Sequence, residues 1–210
     1  MFRRFEFDIN EWTRIGENNV LAVEIISPGK LPDKPYRTKQ IEATTGWDDH
    51  NPQPPDMNMG IWEDVYITTS GPVTLRHPYV VTDLSLPSLD VAHLTVSAQL
   101  TNKNDEEVTG VFSGQIENIE FEKEVRLEPG ETRVVEFTPD EFSQLSVENP
   151  RVWWPNPVGP QELYDLDLAF RVNERVSDRE EVRFGIREVS TYINEEGWRG
   201  YMINGKKILI

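Results

Sequence analysis

Apolar and polar residues alternate with a period of two along most of this chain. In the segment LYDLDLAFRV, residues Tyr164, Leu166, Leu168, Phe170 and Val172 fall on one side of an extended backbone, and Asp165, Asp167 and Arg171 on the other. Leu94, Val96, Ala98 and Leu100 alternate with polar neighbours, as do Phe112, Gly114 and Ile116, and again Val182, Phe184 and Ile186. The same pattern marks Phe5, Phe7 and Ile9, then Leu21, Val23 and Ile25, then Ile61, Val65 and Ile67. Successive side chains of a strand point to opposite faces, so this periodicity predicts half-buried antiparallel strands. Turn formers separate the runs at Gly16-Glu17-Asn18-Asn19, at Asn102 to Asn104 and at Pro129-Gly130. Helix signals are nearly confined to Thr138-Pro139-Asp140-Glu141. There Thr138 fits an N-cap, Pro139 the first helical position and Glu141 a capping box, before Pro150 ends the segment.

Short strands at roughly ten-residue intervals predict an all-β fold. From about Pro72 to Arg187 there is room for about seven strands, the number in an immunoglobulin-like β-sandwich. Residues 28–60 differ: they are rich in Pro, Asp and Asn and lack the alternation. A loop of that length inside a compact domain is usually functional or disordered. The boundary is placed near Ser70-Gly71-Pro72. The start, MFRRFEFDIN, lacks the apolar stretch of a signal peptide and opens inside a strand pattern, as expected of a segment cut from a larger domain.

Charge narrows the partners. Asp and Glu total 37 against 21 Lys and Arg, for a formal net charge of -16. Such a surface repels nucleic acid and anionic membranes, so neither is expected as a partner. Neutral sugars are indifferent to it. The absence of cysteine excludes disulfides, thiolate zinc ligands and a thiol nucleophile, and leaves the compartment open. His50, His77 and His93 show no metal-ligand spacing, and no phosphate-binding or dinucleotide fingerprint is present, so no cofactor is expected.

Three motifs carry candidate chemistry. Gly46-Trp47-Asp48-Asp49-His50 lies in the long loop. An aromatic face and a carboxylate on a loop suit a sugar's C–H surface and hydroxyls. The same pair also suits a Trp plugging the loop onto the sandwich while Asp caps a turn. Trp62, in NMGIWEDV, reads as a core residue. Trp153 and Trp154, set between Pro150 and Pro155, point to opposite sides of an extended segment. One is expected to seal the sandwich and the other to meet a neighbouring domain. No pattern singles out the pair of carboxylates, roughly 5–9.5 Å apart, that glycoside cleavage requires.

The ordered motifs FEFDINEW…GENNVLAVEIISP, GWDDHNPQPPDMNMGIWEDVYI, SGPVTLRHPYV, NPRVWWPNPVGPQELYDLDL, REEVRFGIREV and YMINGKKILI resemble glycoside hydrolase family 2, especially its exo-β-glucosaminidase and β-mannosidase-like branch. The resemblance implies residues 1–70 as the C-terminal part of a jelly-roll sugar-binding domain and 71–187 as the immunoglobulin-like sandwich. It implies 188–210 as the lead-in to a (β/α)8 barrel that would hold both catalytic glutamates, so no catalytic residue is expected in this chain. It also implies that Trp47 and Asp48 bind the terminal sugar of a β-linked carbohydrate. Asp49 departs from the Trp usual at that place, which bears on the sugar's identity. A partial jelly roll would expose apolar faces and favour self-association. The longer protein would hydrolyse O-glycosyl bonds in carbohydrate catabolism, with a periplasmic or secreted location open to it. The alternatives are a stand-alone carbohydrate-binding module and a structural interaction module.

Overall fold

The computed structural model describes residues 5–25, 61 and 63–209. The chain divides into two compact units, residues 1–67 and 68–210.

In the first unit the described residues form no strand. A turn follows Ile9, whose carbonyl accepts from the Trp12 and Thr13 amides, both at 3.0 Å. A second forms where the turn signal lay. Gly16 has φ +83°, and the Asn19 side chain accepts from the Arg14 amide and donates to the Arg14 and Glu17 carbonyls. The flanking runs expected as strands make no ladder there, and Phe7, Leu21, Val23, Val65 and Ile67 are all exposed. Alternation supplies a strand's pattern but not its partner. An isolated strand pair is marginal in water without a further layer against its apolar face.

The second unit is all-β. Its strands are β1 (Val73–Leu84), β2 (Val91–Asn102), β3 (Val108–Ile116), β4 (Ile119–Leu127), β5 (Thr132–Phe137), β6 (Ser146–Glu148), β7 (Tyr164–Val172), β8 (Arg175–Phe184), β9 (Val189–Ile193), β10 (Arg199–Ile203) and β11 (Lys206–Ile208). One sheet has the order β1-β2-β5, with β6 also paired to β2; a second runs β4-β3-β7-β8. Every pairing is antiparallel. The chain switches sheets after β2, after β4 and after β6, giving an immunoglobulin-like sandwich. The predicted alternations fill its core. Leu94, Val96 and Leu100 of β2 and Leu166, Leu168 and Phe170 of β7 are all buried in one cluster. Burying a side chain of this size contributes about 1.5–3 kcal/mol.

Aromatic rings fill the centre. Phe137 packs against Phe112 at 4.8 Å and edge-on against Phe121 at 4.7 Å between centroids. Gly114 makes this possible, because a Cβ there would stand 2.2 Å from the Phe121 ring. Polar ties close the ends. Fully buried Asn102 donates to the carbonyls of Glu106, Leu127 and Glu128, while its Oδ1 accepts from the Asn104 amide.

The helix expected after Thr138 is a single turn, in which Thr138 O accepts from Phe142 N at 2.9 Å, followed by a 3-10 turn at Ser143–Leu145. The capping box does not close. Glu141 instead pairs with Lys123 at 2.8 Å, and the Lys123 ammonium lies 5.2 Å from the Phe137 ring centroid. Phe142 and Leu145 both pack on the core, and that packing outweighs a marginal helix signal.

Candidate functional site

Trp47, Asp48, His50 and Trp62 lie outside the described residues. Of the other histidines, His77 occupies a β1 bulge with φ +54°, and His93 of β2 places Nδ1 2.9 Å from Ser146 Oγ. Among the described residues no three His, Asp or Glu side chains converge as metal ligands.

The third motif is fully described, and it builds a junction. Residues 151–155 run extended between two isolated bridges, Val152 with Ile186 and Trp153 with Gln161. The two tryptophans point apart, as an extended backbone requires. Trp153 packs over Gly185, where a Cβ would stand 2.8 Å from its own Cβ. Trp154 packs over Gly159 and is 8% exposed. Both tryptophans pack within the same compact unit. Each indole face carries a cation from the residues after β8. The Arg187 guanidinium sits 4.5 Å from the Trp153 centroid and the Lys206 ammonium 4.6 Å from that of Trp154. A cation over an indole face contributes about 0.5–1 kcal/mol at a partly exposed position.

Arg187 belongs to the link that leads into a three-stranded sheet of order β11-β10-β9, and Lys206 to β11 of that sheet, which lies in the same compact unit as the sandwich. Its hairpin β10–β11 turns on Asn204 and Gly205, with φ +50° and +76°. Positive φ at both central residues is the type I′ geometry that Asn-Gly favours. The Asn204 side chain is buried. It accepts from the Glu188 amide at 2.9 Å and donates to the Trp153 carbonyl at 3.0 Å. The Asn204 amide donates to the Glu188 carbonyl, and the Trp153 amide to that of Ile186. The link between β8 and β9 is held from its other side too. Thr82 Oγ1 donates to the Arg187 carbonyl, and the Leu84 amide donates to Glu188 Oε2 at 3.3 Å.

The start of the motif is anchored in the same manner. The Arg151 guanidinium lies 4.4 Å from the Tyr164 ring centroid, and its backbone amide donates to the Tyr164 hydroxyl at 2.7 Å. Its hydrogen bond to Glu117 pushes the guanidinium pKa further up, so Arg151 stays charged. Chemically the junction orients; it presents no nucleophile with an adjacent base. The two tryptophans are evident in the sequence as candidates. Their partners Arg187, Lys206 and the Asn204 side chain are not, and only Asn204 carries a local signal, the type I′ pair Asn204-Gly205.

Comparison with known proteins places these features. The exo-β-D-glucosaminidase of Streptomyces avermitilis is 41% identical over 209 residues, covering 100% of this chain and 22% of that protein. The exo-β-D-glucosaminidase of Amycolatopsis orientalis is 34% identical over 209 residues, covering 100% of this chain and 19% of that protein. The crystal structure of the A. orientalis exo-chitosanase CsxA matches with a TM-score of 0.66 at 36% identity, over 75% of this chain and 18% of its own. This chain therefore spans about a fifth of the length of the curated relatives it matches. The family described as Glycosyl hydrolases family 2 matches residues 73–187, from the first strand of the sandwich to the link after the last. The chain belongs to glycosyl hydrolases family 2.

Proposed function

We propose that this chain is the non-catalytic sugar-binding and immunoglobulin-like region of a longer β-glycosidase that hydrolyses O-glycosyl bonds of β-linked glucosamine in carbohydrate catabolism. The observation that carries the proposal is similarity over the entire chain to proteins named exo-β-D-glucosaminidases, of which it covers only a fifth. In this reading residues 1–70 are the C-terminal part of a jelly roll, 71–187 the sandwich and 188–210 the lead-in to the catalytic barrel. Trp47 and Asp48 contact the terminal sugar, and the acid/base and nucleophile are supplied by the barrel. The exposed alternating residues of the first unit support the first assignment, since further jelly-roll strands would cover them. A second copy of this chain could cover them too.

The test is hydrolysis of a panel of aryl β-glycosides, including p-nitrophenyl β-D-glucosaminide, by the longer protein and by this chain. Release by the longer protein and none by this chain is expected. Inactivity of the longer protein on every β-linked substrate would reject the reading. Activity of this chain alone would reject its non-catalytic role.

A further inference from the structure

We propose that Asn204 is a positioning residue, whose side chain sets the orientation of the β9–β11 sheet on the sandwich. The turn does not require that side chain. With φ positive at both Asn204 and Gly205, a glycine at the first position would satisfy the backbone equally well. Yet Asn204 is only 3% exposed, and both ends of its amide are used. Oδ1 accepts from the Glu188 amide and Nδ2 donates to the Trp153 carbonyl. One side chain thus joins three segments: the loop before β7, the link after β8 and the turn between β10 and β11.

The link at residues 185–188 is hydrogen-bonded on both sides, and the two cation–indole contacts of this junction are less directional. A cation slides over an indole face at little cost, so Lys206 of β11 on Trp154 holds the sheet close without fixing its angle, and Arg187 on Trp153 does the same for the link. An amide whose donor and acceptor are both satisfied by fixed backbone groups leaves no such freedom. Those backbone groups are themselves immobilised. The Trp153 amide is bonded to Ile186, and the link is tied to β1 through Thr82 and Leu84. The sheet is therefore locked against rotation about the link at residues 185–188 by Asn204. Resting on the function proposed above, this lock lines up the sandwich side of the longer enzyme with the part that follows the sheet.

The variant that isolates the idea is Asn204→Gly, which keeps the turn and deletes the lock. Residual dipolar couplings of the 210-residue chain give the first measurement. In the wild type, amides of β9–β11 and of β1–β8 should fit one alignment tensor; in the variant, the β9–β11 amides should require a second. A common tensor in both proteins would overturn the proposal. The second measurement is steady-state kinetics of the longer enzyme carrying the same change. A loss of roughly tenfold in kcat/KM is expected, since a misplacement of about 1 Å can cost about 10²-fold. Its melting temperature should move by only a few degrees. Unchanged kcat/KM would overturn the link to catalysis. If the wild-type longer protein hydrolyses nothing, the proposed function fails, and the alignment measurement still decides the role of Asn204.

Discussion

The hydroxyl of Ser177 donates to the carbonyl of Val73 at 2.7 Å and accepts from the amide of the same residue at 2.8 Å. Ser177 is the extra residue of a bulge in β8, where the register with β7 shifts between Phe170 and Arg171. The bulge turns its side chain toward β1, and the hydroxyl does what a neighbouring strand's peptide would do. Next to it, Asp178 accepts from the Leu75 amide and pairs with Arg76 at 2.7 Å. The free edges of the two sheets are thereby stitched together, and neither presents bare peptide groups at that end.

Replacing Ser177 with alanine should therefore cost more than one hydrogen bond. Val73 is fully buried, so the change leaves an amide and a carbonyl without partners. Each buried orphan costs about 1–3 kcal/mol. A destabilisation of about 2–4 kcal/mol is expected, read as a lower urea midpoint at unchanged slope. A shift below about 0.5 kcal/mol would mean that water or a backbone adjustment serves Val73 equally well. Gly71→Ala should be harmful for a related reason, since its added methyl would meet Ser177 Oγ at 2.8 Å.

Gly114 offers a separate test of the core. An added Cβ would overlap the Phe121 ring, with Leu168 2.9 Å away on another side. Such overpacking typically costs about 1–3 kcal/mol, so Gly114→Ala should unfold at lower denaturant. Shrinking the obstructing ring should relieve the overlap. Phe121→Leu alone is expected to destabilise, but Gly114→Ala with Phe121→Leu should cost clearly less than the sum of the two. Additive costs would place the strain elsewhere.

These two positions show what could be read from the chain in advance. Strands β2, β3, β7 and β8 follow from alternation because each sheet of the sandwich buries one face, so local pattern and tertiary burial agree. Gly114 was legible as a core-facing position, but the ring needing its space was not. The tie between Ser177 and Val73 left no trace in the sequence, because it joins residues 104 positions apart through a hydroxyl that any exposed serine also carries. The turn at Thr138 carried helix signals that Phe142 and Leu145 overrode by packing. In the first unit the alternation was as clear as in β7, yet no ladder forms among its described residues. At the junction, Trp153 and Trp154 were conspicuous by type, whereas Asn204 became meaningful only once Glu188 and Trp153 stood beside it.

Asn102 allows a prediction in pH. Its Nδ2 faces three carbonyl oxygens, so Asn102→Asp would set a carboxyl among acceptors in a buried place. Burial and those acceptors both disfavour the ionised form, which raises the carboxyl's pKa in the folded protein. The unfolded chain keeps a value of about 3.9. Above that pH the unfolded state binds fewer protons than the folded one, so stability falls as pH rises until the folded-state pKa is passed. The slope is about 1.4 kcal/mol per pH unit. The gap between variant and wild-type urea midpoints should therefore widen from pH 5 to pH 7. A gap that stays constant over that range would show the carboxyl to be solvated or paired.

The Trp47-Asp48 pair is the place where the proposed function meets a side chain. If it holds the terminal sugar, an aromatic face and a hydrogen-bonded carboxylate act on the bound ring while the chemistry is done elsewhere. Removing either should then weaken binding before it slows turnover. In the longer enzyme, Trp47→Ala and Asp48→Ala are each expected to raise KM for p-nitrophenyl β-D-glucosaminide by roughly tenfold to a hundredfold, equivalent to about 1.4–2.8 kcal/mol. Turnover at saturation should fall far less than on removing a nucleophile. Unchanged KM in both variants would reject the contact and leave the aromatic as a plug for its own loop. A loss of kcat of about a thousandfold at Asp48 would instead give that carboxylate a part in the transition state.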